Sequence, residues 1–66
     1  MLSVTEIKIN PLTDEARVSL FADDKSDVSL ENAQKLVGRD LEMGSSVITA
    51  DGELAFLKSD GTFNWV

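Results

Sequence analysis

The side chains in this sequence that could do chemistry are carboxylates. Asp23, Asp24 and Asp27 stand within five residues of one another, and Asp51 and Asp60 each precede a glycine in two units, TADGELAFL and KSDGTFNWV, that run back to back over residues 49–66. Such groups can serve a hard cation or form a carboxylate pair for acid–base work. The chain has no histidine and no cysteine, so no imidazole can activate a nucleophile and no thiolate can hold zinc. A pocket large enough for a substrate rarely fits in a chain of 66 residues. A non-enzymatic protein is therefore expected, with no catalytic residue, cofactor or metal ligand assigned.

The carboxylate clusters each have a plainer use. The stretch holding Asp23, Asp24 and Asp27 lacks the central glycine and terminal glutamate that an EF-hand loop needs, and reads as a solvated loop. The paired Asp-Gly units are similar to calcium-binding nonapeptide repeats in their spacing, but those need a Gly-Gly-x-Gly-x-Asp run and several stacked copies. Two units without a Gly-Gly are expected to be hairpin turns. Asp-Gly favours the type I′ turn, and here each pair sits between alternating apolar runs.

Composition limits what these turns can be part of. Sixty-six residues make one domain, and a chain this short buries only about 60% of its unfolded surface, so its stability is marginal. Without cysteine or histidine the remaining support is oligomerisation or docking on a larger partner. Twelve acidic against six basic residues give a net charge of −6, which repels phosphate backbones and anionic lipid and argues against nucleic acid or membrane as partner. The opening MLSVTEIKINPL has neither the basic start nor the apolar run of a signal peptide, so a protein made in a cytoplasm is expected.

The fold class that follows is α+β, mainly β. Residues 4–10 carry Ile7 and Ile9 at strand spacing before Pro11 and read as an edge strand, with residues 1–15 alternatively an extended arm. Residues 16–22 alternate cleanly, with Ala16, Val18, Leu20 and Ala22 on one side. A short helix is expected over about 29–37, because Leu30, Ala33 and Val37 share a face, Ser29 is a fitting N-cap and Gly38 a fitting stop. A three-stranded antiparallel meander is expected over about 46–66.

Two-residue turns at Asp51-Gly52 and Asp60-Gly61 set Val47 opposite Phe56 and Phe56 opposite Trp65. One face of the meander would then carry Val47, Leu54, Phe56, Phe63 and Trp65 as the core face. The other would carry Ile48, Ala50, Ala55, Leu57 and Val66. Both faces are largely apolar, and one short helix with the N-terminal strand does not easily cover both, so an outside partner is expected on one of them, the alternative being a monomer whose helix covers one face and whose N-terminal strand covers the other.

Two functions follow. In the first, Ile48, Ala55, Leu57 and Val66 form an interface with a second copy or a larger protein, and Leu57→Asp is expected to abolish assembly while the hairpins persist. In the second, Phe56, Phe63 and Trp65 present an aromatic row to a carbohydrate or peptide. For the second, Ser59–Phe63 resembles an Asp-box turn and residues 53–65 resemble the aromatic hairpins of choline-binding cell-wall repeats. Both of those patterns differ from this chain, the first by an extra spacer and the second by its wealth of Trp and Tyr.

For the first, the order Gly44-Ser45-Ser46-Val47-Ile48, Asp51-Gly52-Glu53-Leu54-Ala55-Phe56-Leu57, Asp60-Gly61-Thr62-Phe63-Asn64-Trp65 is similar to the ending of small virion-associated structural proteins of tailed bacteriophages. That resemblance implies a virion component, made in the host cytoplasm, that decorates a capsid, builds a head fibre or closes a neck or tail joint. It covers residues 44–66 and carries no catalytic residue with it.

Overall fold

Strand β2 (Ala16–Ala22) organises the molecule, and its strict alternation sends Ala16, Val18, Leu20 and Ala22 fully inside. The computed structural model describes residues 1–66. On one side β2 pairs antiparallel with the edge strand β1 (Leu2–Ile9). The pairing passes through a bulge between Val4 and Glu6, where the Thr5 hydroxyl donates to the Ser19 carbonyl at 3.0 Å. A bulge of this kind twists an edge and blunts further pairing along it. The two strands are joined by a tight connection in which Asn10 N–H donates to the Glu15 carbonyl and Asp14 takes a φ of 60°.

After β2 a 3-10 turn (Lys25–Asp27) leads into helix α1 (Leu30–Val37). Ser29 caps it as its sequence predicts, the hydroxyl accepting from Asn32 N–H at 3.1 Å, and Gly38 ends it at φ 81°. Ala33 is fully buried at the helix centre, and Leu30 and Val37 pack on the same core. At eight residues the helix is too short to stand alone, so this packing is what holds it.

The chain then returns parallel to β2. Leu41 makes a parallel bridge to Ala16, and strand β3 (Ser46–Thr49) continues that pairing with Ser19 opposite Ser46 and Phe21 opposite Ile48. Between the two, the buried Ser45 hydroxyl accepts from Val18 N–H at 3.1 Å and donates to the Glu42 carbonyl at 2.8 Å. It takes up backbone groups that the break in the ladder leaves over. Strands β4 (Leu54–Leu57) and β5 (Phe63–Trp65) follow antiparallel, so the sheet runs β1-β2-β3-β4-β5 and is mixed.

The register of the hairpins corrects the sequence-based one. Val47 lies opposite Ala55, and Ala55 opposite Trp65. The Asp-Gly pairs do not form two-residue type I′ turns. Gly52 N–H donates to Thr49 and Thr49 N–H to Glu53, while Gly61 N–H donates to Lys58 and Lys58 N–H to Thr62. Only the glycines, at φ 89° and 86°, are left-handed. Each loop is thus a three-residue turn closed by a left-handed glycine. Thr49 and Asp60 favour it: the Thr49 hydroxyl accepts from Glu53 N–H at 3.1 Å and donates to Asp51, and the Asp60 carboxylate accepts from Thr62 N–H at 3.0 Å.

One extra residue per loop turns β4 over relative to both neighbours. The core face is therefore Val47, Thr49, Ala55, Leu57, Phe63 and Trp65, under the helix. Leu54 and Phe56 point the other way.

Candidate contact surface: the open face of the sheet

Helix α1 and the core lie on one face of the sheet, and the opposite face has no element over it. Three cross-strand rows build this open face. The first runs Ser3, Phe21, Ile48, Leu54 by pairing and ends at Val66, whose N–H donates to the Leu54 carbonyl at 2.8 Å. The second runs Glu6, Ser19, Ser46, Phe56, Asn64. The third pairs Lys8 with Arg17 and, beyond the turn at Met43-Gly44 that stands in place of β3 at this level, Lys58 with Thr62.

The chemistry of the rows differs. Ile48 is 46% exposed, Phe56 43% and Val66 84%, while Phe21 and Leu54 are half-buried among them. Adjacent apolar side chains on a sheet face form one continuous patch rather than scattered contacts. The third row holds Lys8, Arg17 and Lys58, half of the six cations in the chain. Two of them have long ion pairs, Arg17 to the half-buried Glu42 at 3.9 Å and Lys58 to the exposed Asp60 at 3.8 Å, and pairs of this length hold a side chain weakly. At the other end of the strands, beyond the apolar row, lies Asp23, next on the open-face side of β2 after Phe21, while the Asp51 carboxylate accepts from the Thr49 hydroxyl of the covered face. Asp23 and Asp27 share the Met1 amino group at 3.0 and 2.5 Å, two carboxylates against one ammonium, so this end stays acidic.

The residues singled out in the sequence fall on both sides. Of the first set, Ile48 and Val66 are on the open face, whereas Ala55 and Leu57 are buried at 0% and 4% exposure and cannot meet a partner. Of the aromatic row, Phe56 is on the open face, but Phe63 and Trp65 lie on the helix side, half-buried, with Lys25 Nζ 4.9 Å over the Trp65 ring. The three aromatics therefore do not share one surface. Phe21 and Leu54 were missed. Phe21 carried a signal, being an aromatic residue on the side of β2 that alternation sends away from the core.

The carboxylates serve local structure. Asp24 caps the 3-10 turn through Ser26 N–H at 3.0 Å, and Asp60 closes its hairpin. Hydrogen bonds from the Thr62 hydroxyl and amide hold the Asp60 carboxyl below its usual range. No three acidic groups converge. An open groove of about 520 Å³ runs from Leu30 and Gln34 of the helix round the end of the strands to Arg17 and Lys58 and mixes these two cations with Glu15, Asp40 and Glu42, a lining with no single sign of charge. No helix is long and apolar enough to cross a membrane.

No family model, no curated protein and no solved structure matches the chain.

Proposed function

We propose that this protein is a non-enzymatic assembly subunit that acts through protein–protein contacts, as a small virion component of the tailed-phage kind that decorates a shell or closes a joint. The observation that carries the reading is the one-sided sheet: Phe21, Ile48, Leu54, Phe56 and Val66 share a face with nothing over it. A domain of this size gains much of its missing stability by burying such a patch against a partner. The resemblance of residues 44–66 to the ends of phage structural proteins supports the same reading, as does a net charge of −6 that disfavours nucleic acid.

The test is the solution mass by light scattering over micromolar concentrations, together with binding of an apolar fluorescent dye, for the wild type and for Ile48→Asp. Either a discrete oligomer, or a monomer that binds dye, is expected, and Ile48→Asp should abolish that property without loss of far-ultraviolet circular dichroism. A wild-type monomer that binds no dye overturns the reading, as does an Ile48→Asp protein with mass and dye binding unchanged.

A further inference from the structure

The open face is not uniform along its strands: it runs from a basic row through a Phe56 row and an apolar row to an acidic end. A surface with opposite charges at its two ends, and an apolar centre, complements itself when turned end for end. We infer that the occupant of the open face is a second copy of the chain, stacked sheet on sheet about a twofold axis that crosses the strands between the Ser19 row and the Phe21 row. This rests on the open face being a contact surface.

That operation keeps each strand over its own copy and reverses its direction. Residue 17 of β2 then lies over residue 23 of the partner's β2, so Arg17 meets the partner's Asp23. On β4, Lys58 comes over the turn at the partner's Gly52, and Phe56 over the partner's Leu54. Each pair occurs twice. The stack places like with like nowhere along β2 or β4, whereas a twofold axis running along the strands would lay β2 over the partner's β4 and set Arg17 on the partner's Lys58, like charge on like. Sheets packed this way keep their strands within about 30° of alignment, which the twist of each supplies.

The molecule's two largest extents, 35 and 20 Å, cap the footprint of one face at roughly 700 Å². That ceiling lies below the roughly 800 Å² per partner of a standard-size specific interface, so a dimer on this face is a small one and uses nearly all of it. The edges offer less: β1 is interrupted by its bulge and β5 is three residues long, so neither gives a partner much backbone to pair with.

Charge exchange tests the register. Arg17 is exposed and its replacement touches no core residue, so Arg17→Glu is expected to keep the fold and to weaken a dimer by roughly tenfold or more, because it sets two like-charged contacts across the axis. Asp23→Lys should do the same. The two changes together, in one chain, should restore dimer affinity to within a few-fold of wild type, as only a partner that presents residue 23 to residue 17 allows. The wild-type dissociation constant should rise with salt. Sedimentation equilibrium of the four proteins reads all of this. A dimer indifferent to both single changes, or a double change no better than its parents, overturns the stacking. A wild-type monomer that binds the apolar dye also overturns it while leaving the contact-surface reading in place, and a monomer without dye binding removes both.

Discussion

The two faces of this sheet are built from the same kinds of residue and meet opposite fates. On the covered face Val18, Leu20, Val47, Ala55 and Leu57 lie beneath a helix and are less than a twentieth exposed. On the open face Phe21, Ile48, Leu54 and Phe56 stand on the same strands, one residue away in each case, and no part of the chain reaches them. Hydrophobicity alone does not distinguish the covered face from the open one. The parity of the strand does, because a side chain's face is decided by register and the helix can serve only one face.

Adjacent residues of β4 offer the sharpest way to break this contrast. Leu57→Asp puts a carboxylate into the helix-covered core, where an unpaired charge costs on the order of 4 kcal/mol or more. A 66-residue domain has roughly 3–10 kcal/mol in all at about 0.05–0.15 kcal/mol per residue. The expected outcome is an unfolded chain by circular dichroism. Phe56→Asp, one residue back, is expected to change the unfolding free energy by no more than about 1 kcal/mol in the dissociated state and to abolish assembly. If the two variants behaved alike, the assignment of faces would be wrong.

The next effect in size belongs to Ser45, on the covered side. Its hydroxyl accepts from Val18 N–H and donates to the Glu42 carbonyl inside the fold. Ser45→Ala leaves that buried amide without a partner, at about 1–3 kcal/mol. Chemical denaturation should show the loss in the midpoint at unchanged slope, with the open face still competent to bind.

Much of this architecture was legible in the sequence. The alternation over residues 16–22, the Ser29 cap, the Gly38 stop and the helical face of Leu30, Ala33 and Val37 are local signals, and local signals decide local structure. Two features were not legible. The parallel return of β3 beside β2 depends on the helix packing over the sheet, a contact between distant segments. The register of the hairpins depends on whether Asp51-Gly52 is a complete turn or the end of a longer one. Thr49 and Asp60 favour the longer turn through side-chain hydrogen bonds that a spacing argument overlooks. That single residue of slack exchanged Leu54 and Phe56 with Ala55 and Leu57, and so two residues of each expected face.

The glycines that set the register provide a smaller, graded test. Gly52 and Gly61 have nearly the same φ, 89° and 86°. A Cβ on Gly52 meets nothing within 4 Å, while one on Gly61 comes 3.2 Å from Leu30 Cδ2. Gly52→Ala is expected to cost about 1 kcal/mol, from backbone strain alone. Gly61→Ala should cost more, because the Leu30 side chain must shift as well. Thermal melts of the two variants measure the difference, and equal costs would mean that the second loop does not abut the helix.

Asp60 carries the smallest effect and the only one with a pH signature. Its carboxyl titrates below the usual 3.8 because it accepts from the Thr62 hydroxyl at 2.7 Å and from the Thr62 amide, with Lys58 adding a weaker attraction. In the unfolded chain the same group titrates at its ordinary value, so on acidification the unfolded state takes up the proton first. The stabilisation is fully present above pH 3.8 and fades as pH falls through the lower native value. Asp60→Asn keeps an oxygen acceptor for the Thr62 amide but has no charge to titrate. Its melting temperature should therefore fall less steeply than the wild type's below pH 4, with the two curves parallel at neutral pH. Phe63 and Trp65 follow this loop on the covered face, so a loosened turn should be seen as a change in tryptophan fluorescence. Dye binding at Ile48 on the open face should not change with it.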